Sequence, residues 1–297
     1  MNKRTSHILS AIFKQLRSRP TYESVGVDNY RLLLEKSAIA FKPDKSVNRV
    51  PVRIKTIDAE WLIPLHHHEN RIVMYTHGGG YIAGSINSHR DLASRIATAC
   101  SAKLLIFNYR LAPEHTFPQG LKDVKTVYQW LLDNYGNTHK ISLAGDSAGA
   151  GLTLALLSGL LMEKSPLPVC SVLISPWIDL ECKNKSHIKN QEKDPMLTQS
   201  VLKKTARLYT DQDLSNPLIS PINNNFSGIT PILIQAGEHE ILIDDSRILA
   251  QKLKASGATV KLEIWEDMFH VWHYFAKYLS EGRQAIQKTG AFIQQYS

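Results

Sequence analysis

Cysteine is scarce in this sequence, and long apolar runs are missing. The 297 residues include three cysteines, Cys100, Cys170 and Cys182, and so odd and widely spaced a set is not a disulfide framework. No stretch reaches the ~20 apolar residues of a membrane span, and the longest candidate, 150–162, is too short. Residues 1–10 lack the apolar core of a signal peptide. We therefore expect a cytoplasmic protein in a reducing compartment, without stable membrane insertion.

Blocks of like charge are also missing. The formal net charge is +8, yet the Lys and Arg residues are scattered, with no run of five or six. Basic residues do not interleave with aromatic ones as in a single-strand binding groove. We therefore expect no nucleic-acid partner. Charged residues make up 21% and hydrophobic residues 43% of the chain, which excludes a disordered or fibrous protein.

The first 70 residues carry three local patterns. Apolar side chains recur at helical spacing over 6–18, which predicts an amphipathic helix packed on the protein rather than on a membrane. Alternation over 51–57 and 60–65 predicts an antiparallel hairpin that turns at Asp58-Ala59. The histidines at 66–68 lack a Cys or carboxylate that would complete a metal-ligand set, so we interpret them as a solvated turn.

From residue 70 onward, short apolar runs alternate with helical patterns. The runs are often apolar on both faces, as in strands buried within a parallel sheet. They cover 71–76, 103–109, 140–144, 169–175, 231–236 and 260–265, with helical segments at about 88–101, 119–135, 147–163, 244–256 and 275–295. Repeated strand–helix units predict an α/β fold with a doubly wound sheet. The polar interval 181–215 has a helix at about 196–210 and no strand, which is typical of a lid or binding insertion.

The strongest chemical signal is Gly145-Asp146-Ser147-Ala148-Gly149, which follows a predicted strand directly and opens a predicted helix. Such a turn holds the serine in a strained conformation, and the neighbours two residues away must be small. The hydroxyl then stands above the carboxyl edge of the sheet, where open α/β sheets bind ligands. We therefore predict that Ser147 is a nucleophile rather than a helix-capping serine.

A second signal, His77-Gly78-Gly79-Gly80, follows the predicted strand 71–76. Acyl transfer places negative charge on a carbonyl oxygen, and backbone N–H groups aimed at it stabilise that charge by roughly 3 kcal/mol each. Glycines let the backbone approach, and no Lys-Ser/Thr follows as a phosphate-binding loop requires. We predict that Gly78, Gly79 and Ala148 donate to this oxyanion.

A serine hydroxyl becomes an effective nucleophile only when a base takes its proton. In hydrolases built on this strand–turn–helix the chain order is serine, acid, histidine. His270 follows the last predicted strand and is the predicted base, although His273, three residues further on, competes with it.

The acid is expected on the loop after strand 231–236, where carboxylates stand at 238, 240, 244 and 245. Asp244 and Asp245 precede a predicted helix, whose N-terminus favours negative charge without any catalytic role. Glu240 lies on the loop itself. By position we prefer Glu240 as the acid and keep Asp244 as the alternative.

At this point residues 50–297 resemble the hormone-sensitive-lipase branch of the α/β-hydrolases, the bacterial esterase group. The resemblance rests on the two glycine motifs, on the 237–245 loop, and on Tyr109-Arg110-Leu111-Ala112-Pro113-Glu114-His115 and Ile174-Ser175-Pro176-Trp177. It implies an α/β-hydrolase fold with a mostly parallel sheet of about eight strands, an N-terminal antiparallel hairpin and a helical cap. The cap corresponds to about 1–45 and 181–215, within one domain over 1–297.

The resemblance also implies Ser147 as nucleophile and His270 as base. Members of the family carry their acid thirty residues before that histidine, which here is Glu240. The chain looks like the subset that uses Glu where most members have Asp. A second departure is Ala150-Gly151, where Gly-Asn is usual, and we expect it to affect packing rather than chemistry.

Together these features predict a carboxylic-ester hydrolase that cleaves short- to medium-chain acyl esters through an acyl-enzyme. Its expected partner is a small-molecule ester, with no cofactor or metal, and a homodimer stays open. A lactone or amide hydrolase with the same triad is the alternative. A small-molecule receptor resembling the plant gibberellin receptor is a further alternative, disfavoured because that receptor lacks a working histidine. Residues 181–215 are too polar for the lid of an interfacial lipase.

Overall fold

The computed structural model describes residues 3–39, 41 and 46–297, so residues 1, 2, 40 and 42–45 of the predicted cap lie outside the described residues. The strands are β1 (Val47–Ile54), β2 (Ile57–Pro64), β3 (Arg71–Thr76), β4 (Lys103–Phe107), β5 (Lys140–Asp146), β6 (Ser171–Ile174), β7 (Ile232–Gly237) and β8 (Val260–Trp265). The helices are α1 (Lys3–Arg17), α2 (Tyr22–Val25), α3 (Val27–Ala38), α4 (Ile86–Cys100), α5 (Gln119–Tyr135), α6 (Ala148–Glu163), α7 (Ser186–Lys189), α8 (Gln199–Tyr209), α9 (Ile243–Ala255) and α10 (Ser280–Tyr296). Short 3-10 helices cover Pro221–Asn223 and Trp272–Phe275.

The eight strands form one sheet in the order β1-β2-β4-β3-β5-β6-β7-β8. β2 pairs antiparallel with β1 and with β4. The remaining neighbours, from β4 through β3 and β5 to β8, pair in parallel. The sheet confirms the mostly parallel, doubly wound arrangement with an antiparallel N-terminal hairpin that the sequence predicts.

Each face of the sheet is covered by helices. Successive side chains of a strand point to opposite faces, and on β3 Ile72 and Met74 join one buried cluster whereas Val73 and Tyr75 join another. The first cluster includes apolar residues of α5, α6 and α9, and the second includes those of α4 and α10. The central strands are therefore buried on both sides, which explains their continuous apolar runs.

The N-terminal helix packs on the segment that follows β8. Leu9, Ile12 and Leu16 of α1 are buried in one cluster with Phe269 and Trp272. The predicted packing of this amphipathic helix on the rest of the protein is therefore confirmed. None of the helices in the described part of the chain combines the length and apolar character that a bilayer crossing requires.

The predicted position of the hairpin turn is wrong. Ile54 pairs with Ile57, so the chain reverses at Lys55-Thr56, and Asp58-Ala59 belongs to β2. Lys55 takes the left-handed conformation that this tight turn needs, with φ 53°. The histidine turn that follows the hairpin is largely solvated: residues 66 and 68 are exposed, and His67 Nδ1 donates to the carbonyl of Pro64 at 2.8 Å.

Candidate active site

The carboxyl ends of neighbouring parallel strands bring the predicted site residues together. β3 ends at Thr76, just before residues 77–80, which we call the glycine loop, and β5 ends at Asp146, just before Ser147. β7 and β8 follow in the same parallel sheet, separated from β5 by β6, and the loops after these two strands carry Glu240 and His270. Four segments that are distant in the sequence therefore meet at one edge of the sheet, where open α/β sheets bind ligands.

Ser147 stands on a sharp turn between β5 and α6. Its backbone has φ 52° and ψ −121°, a combination that L-residues rarely adopt. The turn is tight because α6 approaches β3 closely: a Cβ added to Gly149 would lie 2.1 Å from the carbonyl oxygen of Thr76. The strain and the small neighbour that the sequence pattern predicts are both present.

His270 links the serine to the loop between β7 and α9, residues 238–242, which we call the acidic loop. Its Nε2 lies 2.9 Å from Ser147 Oγ, and its Nδ1 lies 3.1 Å from Glu240 Oε2. The competing His273 turns away from this site, and its Nε2 lies 2.9 Å from Gln235 Oε1. Burial lowers the pKa of His273 to about 3. His270 is therefore the histidine that is placed to act on Ser147.

Glu240 is held by three donors. Its Oε1 accepts from the Ser175 hydroxyl at 2.7 Å and from the Gly237 N–H at 2.5 Å, which leaves Oε2 for the Nδ1–H of His270. The alternative acid, Asp244, instead accepts from the Ser186 N–H at 2.9 Å and pairs with an exposed arginine. The geometry places Glu240, not Asp244, beside the histidine.

The pKa of His270 reflects opposing influences. Burial by itself lowers the pKa of the imidazole. The hydrogen bond and the charge of Glu240 act in the opposite direction, and Asp194 adds to them, so the pKa is raised above its usual value. Glu240 is therefore placed to stabilise an imidazolium at His270.

The structure corrects one of the predicted oxyanion donors. The N–H of Gly78 is already used: it donates to Asp146 Oδ1 at 3.0 Å and lies 3.2 Å from His89 Nε2. It is therefore not free to bind a substrate oxygen. The N–H groups of Gly79, Gly80 and Ala148 meet no acceptor among residues 3–39, 41 and 46–297. The third glycine of the motif thus replaces the first as a candidate donor.

Asp146 holds the glycine loop in place by accepting hydrogen bonds from it and from neighbouring side chains. Its Oδ1 also accepts from the Tyr75 hydroxyl at 2.7 Å, and its Oδ2 lies 3.5 Å from His89 Nε2. Burial acts to raise the pKa of this carboxyl, but His89 and the Tyr75 hydroxyl outweigh it and lower the pKa below its usual value. Asp146 is therefore an ionised carboxylate that fixes the loop relative to the nucleophile.

Two residues of the 181–215 insertion brace the acidic loop, and sequence reasoning missed both. Asn190 Nδ2 donates to the carbonyl oxygens of Glu238 and Glu240, at 3.0 and 2.9 Å. Asp194 Oδ2 accepts from the N–H of Ile241 at 3.0 Å. Burial raises the pKa of Asp194 to about 6. The only available signal was the polar character of the insertion, which does not specify what its side chains bind.

A cavity of about 170 Å³ opens onto Ser147 and His270. Apolar side chains from both predicted cap segments line it, including Leu16 of α1, Leu34 of α3 and Leu202 of α8. Gly79 and Gly80 lie at its base. The cavity therefore combines an apolar binding space with the serine and the free loop amides.

One group of potential metal ligands occurs in the described part of the chain. Glu238, His239 and Asp267 bring ligand atoms within 4.8 Å of one another. These side chains do not line the cavity around Ser147. An arrangement of serine, histidine and carboxylate is one that can carry out nucleophilic chemistry.

Comparisons with known proteins agree with this geometry. The family model described as alpha/beta hydrolase fold matches residues 73–274. An acetyl-hydrolase of Streptomyces hygroscopicus is 41% identical over 236 residues, which cover 79% of each chain. EstE5, whose crystals were soaked with p-nitrophenyl butyrate, is 39% identical, covers 97% of this chain and 98% of its own, and superposes with a TM-score of 0.91.

A third similarity defines the branch of the family. An esterase from the bacterial hormone-sensitive lipase family is 34% identical, with coverage of 100% of this chain and 99% of its own, and a TM-score of 0.93. The expected fold and resemblance are confirmed by these matches. The chain belongs to the α/β-hydrolase fold family, in its hormone-sensitive-lipase-like branch.

Proposed function

We propose that this protein hydrolyses carboxylic esters of short to medium acyl chains, with Ser147 as nucleophile, His270 as base and Glu240 as the acid that orients His270. The observation that carries the proposal is the continuous contact from Ser147 Oγ through His270 to Glu240 at the base of an apolar cavity. Relatives that carry the names esterase and acetyl-hydrolase support the ester bond as the target. The protein is a serine ester hydrolase.

Acylation begins when Ser147 Oγ attacks the ester carbonyl carbon as its proton passes to His270 Nε2. The carbonyl oxygen gains negative charge and accepts hydrogen bonds from the free N–H groups of Gly79, Gly80 and Ala148. The bond between the carbonyl carbon and the alcohol oxygen then breaks, and His270 gives its proton to the leaving alcohol. Ser147 is left esterified with the acyl group.

Deacylation repeats these steps with water. His270 takes a proton from a water molecule as its oxygen attacks the acyl carbon, and the same amides stabilise the second oxyanion. The acyl–serine bond breaks, the proton returns to Ser147 Oγ, and the carboxylic acid leaves. Glu240 accepts the hydrogen bond from His270 Nδ1 and keeps that proton in place, so Nε2 is the nitrogen that exchanges protons.

The size of the cavity supports a limit on acyl length. Its volume of about 170 Å³ is below the roughly 300–1,000 Å³ of pockets that enclose drug-sized ligands. Side chains of α1, α3 and α8 line it. Short and medium chains fit such a space, whereas a long chain requires these helices to move.

The test is hydrolysis of p-nitrophenyl esters from acetyl to palmitoyl by purified protein, beside Ser147→Ala. We expect turnover that falls beyond about eight carbons, with a loss of several orders of magnitude in the variant. A fluorophosphonate adduct located on Ser147 by mass spectrometry checks the nucleophile independently. No turnover at any length, in protein that labels at Ser147, would redirect the search to lactones and amides. No turnover and no labelling would favour a receptor.

A further inference from the structure

Arg19 places a positive charge in the wall of the catalytic cavity. It lies in the turn between α1 and α2 and lines the same cavity as Ser147 and His270. Its N–H donates to the carbonyl of Leu16 at 3.1 Å, and Pro20 follows it, so its backbone is restricted on both sides. The side chain is half-buried. The cation is thus held at the cavity by the fold.

No protein group in the described part of the chain neutralises this cation. The Arg19 side chain makes no hydrogen bond and no ion pair with residues 3–39, 41 or 46–297, whereas each other buried or half-buried arginine there binds an acceptor. The pairs are Arg31 with Glu114, Arg71 with the carbonyl of Cys100, Arg90 with Glu60, and Arg95 with Asp91. Arg19 is therefore an exception within the described structure.

An unpaired cation that has lost part of its hydration is unfavourable. Burial lowers the pKa of the Arg19 guanidinium from its usual value, which reports this loss of water. A guanidinium nevertheless keeps its proton in proteins. An anion that reaches the group recovers this cost, and the cavity that Arg19 lines is a space from which such an anion can approach.

Tyr30 adds a second polar group that has no hydrogen-bond partner in the described part of the chain. Its side chain lines the cavity, and its hydroxyl forms no hydrogen bond within the described structure. Arg19 and Tyr30 line the same cavity, and the positive charge of Arg19 acts to lower the pKa of this phenol, which burial raises. A forked cationic donor and a neutral O–H donor together match the oxygens of a carboxylate.

No carboxylate among the described residues of the cavity lining is free to neutralise Arg19. Asp146 is the one carboxylate among the described lining residues, and it is occupied by Gly78, Tyr75 and His89. The walls near Arg19 are otherwise largely apolar, with Leu16 and Leu34 among them. An ester with a hydrocarbon segment and a terminal anion has both features that this lining complements.

We propose that Arg19, assisted by the Tyr30 hydroxyl, binds a carboxylate on the ester that this enzyme hydrolyses. The inference rests on the proposed ester hydrolysis and makes it more specific: the preferred substrates are acidic esters. The carboxylate belongs either to the acyl part, as in a half-ester of a dicarboxylic acid, or to the alcohol part. Arg19 is a specificity residue and takes no part in the chemistry at Ser147.

The experiment compares matched anionic and neutral esters. For the acyl part the pair is mono-p-nitrophenyl adipate and p-nitrophenyl hexanoate, and for the alcohol part it is 4-acetoxyphenylacetate and 4-methylphenyl acetate. kcat/KM is measured for the wild type, Arg19→Gln, Arg19→Lys and Tyr30→Phe. Arg207→Gln is the matched control, because Arg207 is exposed on α8 and does not line the cavity.

We expect Arg19→Gln to lower kcat/KM at least tenfold for the anionic member of one pair and less than twofold for its neutral partner. Arg19→Lys should retain part of the preference, since it keeps the charge but not the fork. Tyr30→Phe should lower the same value two- to fivefold, and Arg207→Gln should leave both esters unchanged. The pair that responds identifies which part of the substrate carries the carboxylate.

Equal changes for anionic and neutral esters in both pairs would overturn the inference, as would an equal loss in Arg207→Gln. Thermal unfolding of each variant, together with its rate on the neutral ester, separates a folding defect from a binding defect. If the wild type hydrolyses the neutral esters through Ser147 but Arg19 does not discriminate, only this inference fails. If the wild type hydrolyses no ester, the proposed function fails with it.

Discussion

The backbone N–H of Gly78 donates a hydrogen bond to the carboxylate of Asp146 at 3.0 Å. This bond ties the start of the glycine loop to the residue that precedes the nucleophile. It also turns the Gly78 amide away from the cavity, whereas Gly79 and Gly80 line it. The position of the oxyanion donors relative to Ser147 thus depends on one buried carboxylate.

Asp146→Ala should therefore damage catalysis more than Asp146→Asn. Alanine leaves the buried Tyr75 hydroxyl without its acceptor and leaves the Gly78 N–H with only His89 Nε2, 3.2 Å away. Asparagine keeps one oxygen in the place of Oδ1, to which both groups donate. We expect kcat on p-nitrophenyl butyrate to fall about 10²-fold in the alanine variant, comparable to the loss of an oxyanion donor. Equal losses in the two variants would contradict this role for the oxygen.

Glu240→Gln should reduce kcat by about 10⁴-fold with little effect on folding. A glutamine keeps the oxygen that binds Ser175 and Gly237 but offers an amide to His270, which favours the wrong tautomer of the imidazole. Asp244→Asn is the matched control, and we expect its kcat to stay within about threefold of the wild type because Asp244 faces Ser186. The reverse pattern would assign the acid to Asp244.

The pH profile of kcat/KM should carry the signature of His270. Only the neutral imidazole accepts the Ser147 proton, so activity rises as the pH passes through the His270 pKa, which is raised above its usual value. Asp194 has a pKa of about 6, and above that pH its negative charge helps to keep the His270 pKa high. Asp194→Asn should therefore move the acid limb of the profile to lower pH.

The position of that limb separates an electrostatic role of Asp194 from a structural one. Asp194 also accepts from the Ile241 N–H, so a loss of this hydrogen bond in the variant would lower activity by loosening the acidic loop. Loosening lowers the plateau of the profile without moving its midpoint. A midpoint that is unchanged from wild type, with Asp244→Asn measured beside it, would rule out the electrostatic role.

Local sequence patterns predict much of this fold and of the candidate site. The bounds of β3, β8 and α5 coincide with their predicted ranges, because β3 is a buried apolar run, β8 a partly exposed run in which apolar and polar residues alternate, and α5 an amphipathic stripe. Ser147 and His270 follow from a strand–turn–helix motif and from chain order. Short-range patterns suffice wherever burial and backbone conformation are set by adjacent residues.

The remaining features depend on contacts between residues that are far apart in the chain. Gly78 and Asp146 are separated by 68 positions, and nothing local indicates that the first glycine amide is consumed by that carboxylate. The hairpin turn at Lys55-Thr56 contains no glycine or asparagine, so the sequence pointed to Asp58-Ala59 instead. The role of Arg19 is likewise visible only once α1, α3 and α8 enclose a common cavity.

Two glycines of α6 should respond in opposite ways to the same substitution. A Cβ at Gly149 would lie 2.1 Å from the Thr76 carbonyl oxygen and 2.4 Å from that of His77, so the helix would have to move away from the oxyanion loop. A Cβ at Gly159 would meet nothing within 4 Å. Gly159→Ala should therefore raise the free energy of unfolding by about 0.5–1 kcal/mol, the usual gain in a helix interior.

Gly149→Ala should lower the free energy of unfolding by about 3 kcal/mol, at the upper end of the cost of overpacking. It should also lower kcat, because the displaced helix carries the Ala148 amide and the displaced loop carries those of Gly79 and Gly80. Urea unfolding and hydrolysis of p-nitrophenyl butyrate check both variants, with Gly159→Ala as the internal control for a methyl group added to α6. A Gly149→Ala protein with wild-type stability and turnover would show that helix and loop are not in the tight contact on which the oxyanion geometry depends.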